Sequence, residues 1–355
     1  MTISQHDSTQ DPAAATSVSD RKPVLQVRNL VKHFPGGRGG FGLRAPKQWV
    51  RAVDGVSFDI APGETLGLVG ESGCGKSTIA KLLLRLEDPT SGEIVFGGDD
   101  VASMKGKDLL AYRRAVQAVF QDPYSSLSPR MRVRDIISES LQIHTSMTDA
   151  EQDKRIAEVL DMVGMNPDVG RLYPHEFSGG QRQRIAIAKA LALDTKMLVL
   201  DEAVSALDVS IRAQVITLLK ELQARLGIAY LYIGHDLATV SYLADRVMVM
   251  YLGKVVELDE ATRLVDDPYH PYTEALFNAA LPAHPDDQDG QTTLGQATAE
   301  VPSALAPPPG CHFHPRCPVA MDVCSTEYPK AITLNTGRRV ACHLHPDPES
   351  KPVAS

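Results

Sequence analysis

ETLGLVGESGCGKST, residues 64–78, joins a short apolar run to a glycine-rich turn and then to a helical pattern that continues from Lys76 to about Leu86. The apolar run reads as a strand, so the order is strand, loop, helix. Within it Gly70-Glu71-Ser72-Gly73-Cys74-Gly75-Lys76-Ser77-Thr78 matches G-x-x-x-x-G-K-[ST] in the structural context that phosphate binding needs. Glycines let consecutive backbone N–H groups wrap phosphates, Lys76 reaches the β- and γ-phosphates, and Ser77 offers a hydroxyl to Mg²⁺. The helix N-terminus adds its partial positive charge. Cys74 takes a variable position of the loop and reads as a bystander rather than a catalytic thiol.

Working outward, VLQVRNLV alternates like a strand, GGRGGFGLRAPKQW reads as a loop and AVDGVSFDI as another strand. VQAVF, MLVLDE and IAYLYIG follow as strands, with RVRDIISESLQIH, DAEQDKRIAEVLDMVG and VSIRAQVITLLKELQARLG as helices. Alternation of this kind defines an α/β fold. A continuously apolar strand ending in Asp201 delivers a carboxylate to the C-terminal edge of a sheet, where it can hold Mg²⁺, and Glu202 is placed to act as general base on a water. With the phosphate loop, this pair points to a nucleoside triphosphatase.

Composition narrows the classes. The chain has 355 residues, 43% of them hydrophobic, a net charge of -8 and a pI near 5.8. It can bury a sizeable core, and its acidity argues against a nucleic-acid partner. No apolar run reaches the length of a membrane span, and the polar first twenty or so residues lack the apolar core of a signal peptide, so the chain is expected to stay in the cytosol.

A second anion-binding helix start lies at Phe177-Ser178-Gly179-Gly180-Gln181-Arg182-Gln183-Arg184. Ser178 is a favoured N-cap, but one helix end is worth only about 0.3–1 kcal/mol to an exposed anion and cannot hold a nucleotide alone. The stretch resembles the signature of the ATP-binding cassette (ABC) ATPases, whose phosphate loop, SGGQ, acidic strand end, SALD (Ser205 to Asp208) and His235 follow here in that family's order from about Val24 to Leu281. The resemblance implies a P-loop NTPase with a RecA-like core, a helical subdomain over about 122–180 and an antiparallel β subdomain. It also implies head-to-tail pairing with a second ABC ATPase subunit, self or paralogue, so that Ser178, Gly179, Gly180 and Gln181 of one face the ATP bound by Lys76 of the other. By the same similarity Gln121 senses Mg²⁺ and the attacking water, His235 is a γ-phosphate switch, Asp208 couples the two sites, and Phe34 stacks on adenine where Tyr is more usual. Each has a plainer alternative: Gln121 a cap, His235 a core histidine, Asp208 an N-cap of the following helix. Ala203-Val204 stands where many relatives carry Pro-Thr, and Gly234 where Ser is frequent; neither change removes a ligand or base.

DPYHPYTEALFNAALP, with His270-Pro271-Tyr272, resembles the C-terminal region of oligopeptide and dipeptide importer ATPases, as does the tail GCHFHPRCPVAMDVC with the later ACHLH. That branch implies two membrane permease subunits, an extracytoplasmic binding protein and a peripheral place on the cytoplasmic face of the cell membrane. Other cargoes of the type are nickel and oligosaccharides, and a soluble ABC ATPase acting on nucleic acid or ribosomes is a further alternative. The expected divisions are a tail at 1–22, the ATPase domain at 23–281, a polar and Pro-rich linker at 282–309, a Cys-rich C-terminal extension at 310–346 and a tail at 347–355. Cys311, Cys317, Cys324 and Cys342 fit Zn²⁺ or an iron–sulfur cluster by chemistry, and spacing does not decide between them. The resemblance implies a 4Fe-4S cluster.

Overall fold

The structure is a computed structural model that describes residues 22–38, 47–121, 127–280 and 302–345. Two sheets organise it. The central sheet has eight strands in the order β11-β12-β10-β9-β3-β8-β7-β6. Its middle is parallel: β6 (Val116–Phe120), β7 (Met197–Asp201), β8 (Ala229–Ile233), β3 (Thr65–Val69) and β9 (Arg246–Tyr251). β3, β7 and β8 read as near-continuous apolar runs because both faces are covered. Alternate residues feed two separate cores. Leu66, Leu68, Met197, Val199, Leu231 and Ile233 face one, while Val69, Leu198, Leu200, Tyr230 and Tyr232 face the other.

The first core is closed by helix α1 (Lys76–Leu83), through Ile79, Leu82 and Leu83, and by the second sheet. That sheet is antiparallel in the order β2-β1-β4-β5, with β1 Leu25–Arg38, β2 Lys47–Ile60, β4 Ser91–Phe96 and β5 Asp99–Asp100. Leu25 faces Ile60 and Val27 faces Phe58, so one apolar side of the hairpin turns inward. Both hairpin strands run further than the sequence reading of GGRGGFGLRAPKQW as a loop, since Phe34 pairs with Val50 and Pro35 with Trp49. Pro35 is tolerated because β1 bonds β4 only as far as Val31 and is an edge beyond it. Residues 39–46 lie outside the described residues. Helix α2 (Gly106–Ala115) buries Tyr112 here, its hydroxyl donating to the carbonyl of Leu83.

Helices α3 (Val133–His144), α4 (Asp149–Met162) and α5 (Gly179–Leu191) pack together on the other core through Ile136, Ile137, Leu141, Ile156, Val159, Leu160, Ile185 and Ile187. Helix α4 starts at a capping box in which Thr148 accepts from the Glu151 N–H and Glu151 accepts from the Thr148 N–H. Helix α6 (Val209–Leu226) ends at Gly227, whose φ of 65° makes a left-handed C-cap. Helices α7 (Leu237–Leu243), α8 (Ala261–Asp266) and α9 (Pro271–Ala280) complete this side.

Beyond the polar stretch, of which residues 281–301 lie outside the described residues, the chain rejoins the central sheet. Strand β12 (Arg339–Val340) pairs with β11 (Ile332–Thr333) and with β10 (Lys254–Glu260). The joint is charged and buried: Arg338 donates to Asp259 at 2.5 Å, lies over the Tyr269 ring at 3.8 Å and is 3.9 Å from Glu257. The cysteine-bearing segment is therefore built onto the central sheet beside β10.

The register also fixes where chemistry can occur. Phe120 pairs with Asp201, Asp201 with Ile233, and Ile233 with Leu68, so the chain leaves all four strands at one C-terminal edge. Gly75 shows how tightly that edge is built. Its φ is 115°, and a Cβ there would lie 2.1 Å from the carbonyl oxygen of Ala52. Gly75→Ala is expected to cost about 2 kcal/mol or more through strain and overlap, read as a lower urea midpoint of the full chain.

Candidate functional site

The phosphate loop closes over its own lysine. Lys76 Nζ is buried and donates to the carbonyls of Gly70 at 2.6 Å and Glu71 at 3.0 Å. Gly70 has φ 148°, with a Cβ position 2.1 Å from the Met250 carbonyl oxygen, whereas Gly73, at φ 79°, has open space around it. The first glycine is thus required by crowding as well as conformation, the second by conformation alone. Ser72 and Ser77 are exposed, and Thr78 N–H returns to the Gly75 carbonyl at 3.1 Å. Burial raises the Cys74 thiol above its ordinary range, which fits an inert packing role.

Asp201 ends β7 beside this loop. Burial, and then the neighbouring Glu202 charge, push its carboxyl upward, while Lys76 opposes them. A divalent cation relieves that cost, so Asp201 with the Ser77 hydroxyl suits Mg²⁺. Glu202 has a left-handed backbone with φ 51°, unusual for a residue with a side chain. Its N–H is tied to the Ile233 carbonyl at 2.9 Å, and its carbonyl accepts from Ser205 Oγ at 3.0 Å. The carboxylate lies 3.5 Å from His235 Nδ1. His235 is 62% exposed, so it is not a core histidine. Its loop is steadied by Asp236, which caps α7 by accepting from Thr239 and pairs with Arg212 at 2.7 Å.

The signature stands apart from this loop, at the start of α5. Ser178 Oγ accepts from Gln181 N–H at 3.4 Å, and the Ser178 N–H donates to Gln181 Oε1 at 3.0 Å, a complete capping box. Ser178, Gly179 and Gln181 are exposed, while Gly180 is buried where a Cβ would come 2.3 Å from Ile211 Cγ2 of α6. The two glycines therefore differ: one keeps a surface low, the other lets two helices touch. Gln121 is exposed just past β6, followed by residues 122–126, which lie outside the described residues. Asp208 occupies the N-cap position of α6 without a side-chain cap bond and is exposed. Phe34 is half-buried in β1 with Lys32 Nζ 4.8 Å from its ring centre.

Cys311, Cys317, Cys324 and Cys342 line one small, enclosed cavity with His270, Pro271 and Phe313. Burial raises the thiols of Cys311, Cys317 and Cys342, and charge on the other cysteines adds to it at Cys342, which is pushed to about 11. His270 is 1% exposed; its Nδ1 accepts from Tyr272 N–H at 3.0 Å, so a neutral ring carries its proton on Nε2, and that atom is buried without a partner. Burial holds this ring neutral, down to about 3. Among the described residues no group of three or more His, Cys, Asp or Glu is drawn together to hold a metal ion. The expected 4Fe-4S cluster at the four cysteines, with Zn²⁺ as its alternative, is therefore not marked by a preformed ligand group among the described residues.

The pattern of the ABC transporter family matches residues 53–205, and that of the oligopeptide/dipeptide transporter C-terminal region matches residues 256–324. The oligopeptide transport ATP-binding protein AppF of Bacillus subtilis is 45% identical over 330 residues, 93% of this chain and 99% of that one. The chain belongs to the ABC transporter ATP-binding proteins. Solved structures agree with this ABC ATPase. A dimeric ATP-binding cassette in a post-hydrolysis state with ADP and Pi is 26% identical, with a TM-score of 0.57 over 67% of this chain and 98% of that one. CbiO1 of Clostridium perfringens, part of the ABC transporter complex cbiONQ, is 27% identical, with a TM-score of 0.59 over 69% and 91%. No helix among the described residues is long and apolar enough to cross a membrane.

Two residues of this ABC ATPase that touch the phosphate loop carry no local signal in the sequence. Arg316 is known only as a neighbour of Cys317, and Tyr272 only as the third residue of His-Pro-Tyr, yet both bond Glu71. Arg212, which positions the His235 loop, is equally silent as one charge on a long helix.

Proposed function

We propose that this ABC ATPase hydrolyses ATP at sites shared between two ATPase subunits and so energises import of oligopeptides or dipeptides through two membrane permeases fed by an extracytoplasmic binding protein. The observation that carries this reading is the single sheet edge bearing Lys76, Asp201, Glu202 and His235, set against a signature helix whose capped end is exposed. Peptide cargo is supported by the match over residues 256–324 and by the naming of AppF; nickel, oligosaccharide and nucleic-acid readings draw no such support.

Lys76 and the loop N–H groups would hold the β- and γ-phosphates, and Ser77, Asp201 and Gln121 would hold Mg²⁺, which when bound would supply positive charge against that developing on the phosphates. Glu202 would accept a proton from a water whose oxygen bonds the γ-phosphorus in line with the breaking bond to the β-phosphate oxygen, which leaves on ADP, while His235, 3.5 Å from that carboxylate, keeps the γ-phosphate in register. Ser178, Gly179, Gly180 and Gln181 of the opposing subunit add N–H donors, Asp208 couples the two sites, and Phe34 supports the adenine. Reconstituted with its permeases, the chain should drive uptake of labelled peptide only with hydrolysable ATP. ATP-independent uptake, or uptake that persists when this chain is left out, would count against this function.

The same reading places a 4Fe-4S cluster on Cys311, Cys317, Cys324 and Cys342, which would supply a cross-link for a segment short of apolar residues. It is supported by the shared cavity and by the buried, unpartnered His270 Nε2–H, a donor suited to sulfur. Anaerobic purification should yield brown protein with about four iron and four sulfide per chain. A colourless, iron-free, zinc-loaded product would end the cluster assignment.

A further inference from the structure

Glu71, the second residue of the phosphate loop, is gripped on three sides, by Arg316 of the cysteine-bearing extension, by Tyr272 of α9 and by Lys76 of the loop itself. Its carboxylate takes two parallel bonds from Arg316, each 2.9 Å long. Its N–H donates to the hydroxyl of buried Tyr272 at 2.9 Å, and its carbonyl accepts from Lys76 at 3.0 Å. The Arg316 side chain is 10% exposed and that of Glu71 26%, so water competes weakly for the fork. Tyr251 Oη accepts from Arg316 at 3.3 Å, and Tyr272 packs on Tyr251 and Phe313 with ring centres 4.6 and 5.4 Å apart.

Arg316 is placed by cysteines. It ends the single turn His314–Arg316, which is tied back to Cys311 through the His314 N–H and forward through the Cys317 N–H. Both of those cysteines line the four-cysteine cavity, as does His270, two residues before Tyr272. The cavity therefore borders both segments that reach Glu71. Charge explains why the grip matters. A carboxylate on a loop that must embrace phosphates opposes their binding, and Arg316 cancels it while fixing the loop's first turn.

We propose that Arg316 is a positioning residue for ATP, and that the four-cysteine cavity and the nucleotide site are thereby linked, each state biasing the other. This rests on the reading of the Lys76 loop as the ATP site. The experiment is a double-mutant cycle on the full-length chain, with Mg-ATP affinity measured by displacement of a fluorescent nucleotide. Arg316→Met is expected to weaken Mg-ATP about tenfold, the scale of a charge-assisted pair, and Arg316→Lys, which keeps charge but not the fork, about threefold. In a Glu71→Gln background the Arg316→Met loss should shrink to under about threefold, because the opposing charge is gone. In cluster-free protein, bound Mg-ATP should also slow alkylation of Cys311, Cys317, Cys324 and Cys342, mapped separately from Cys74, in the wild-type chain and not in Arg316→Met; equal slowing in both would overturn the linkage. An affinity within about twofold of wild type for Arg316→Met, or the same tenfold loss with Gln at position 71, would overturn the proposal. Lys76→Ala separates the two ideas: if it still binds Mg-ATP, the site reading itself fails, whereas loss there with no effect at Arg316 removes only the linkage.

Discussion

Glu202→Gln should bind Mg-ATP as well as the native chain does and hydrolyse it about 10²–10⁴ times more slowly, the span of general-base catalysis. The expectation follows from geometry as well as residue type. Glu202 is held in a left-handed backbone by its N–H bond to Ile233 and by Ser205 on its carbonyl, so its carboxylate projects from the strand end in a fixed direction. Gln has the same shape and keeps those backbone bonds, but cannot accept the proton. Nucleotide affinity should persist because Lys76, the loop and the Asp201 strand end are untouched. Single-turnover hydrolysis beside equilibrium binding separates the effects, and turnover within tenfold of wild type would remove Glu202 as the base.

Ser178→Arg should abolish turnover while leaving Mg-ATP bound at the chain's own Lys76. Ser178 lies exposed at the head of α5, outside the loop that holds Lys76, and its contacts are to Gln181 in the same turn. A long cation there costs the cap about 1 kcal/mol, which a small fall in melting temperature should register. The larger effect is steric, at a surface kept low by Gly179. Loss of binding to the chain's own loop would contradict a role across an interface.

Much of this site was legible because parallel strands buried on both faces leave a continuous apolar trace, and the chemistry begins where that trace stops. TLGLV, MLVLD and AYLYI carry it in full and VQAVF, broken by Gln117 and only half buried, in part, and Gly70, Gln121, Glu202 and His235 each follow it closely. Other strands were not legible in the same way. SGEIVF, with its first three residues exposed, shows no clear alternation, and the two-residue strands β11 and β12 are too short for any period. Nor does composition show that the cysteine-bearing end is welded to the sheet. That joint depends on Arg338 meeting Asp259, 79 residues away, and on Arg316 meeting Glu71, 245 residues away. Such pairs are fixed by tertiary placement, where local propensity is silent.

The most direct measurement is sedimentation velocity on the Glu202→Gln chain, with the ATPase subunit that accompanies it if that is a paralogue, in the presence and absence of Mg-ATP. A nucleotide clasped between Lys76 of one subunit and Ser178 of the other requires association that appears with Mg-ATP and vanishes in Ser178→Arg. Subunits that stay apart with Mg-ATP saturating, or that associate equally well with Arg at position 178, would contradict a shared site.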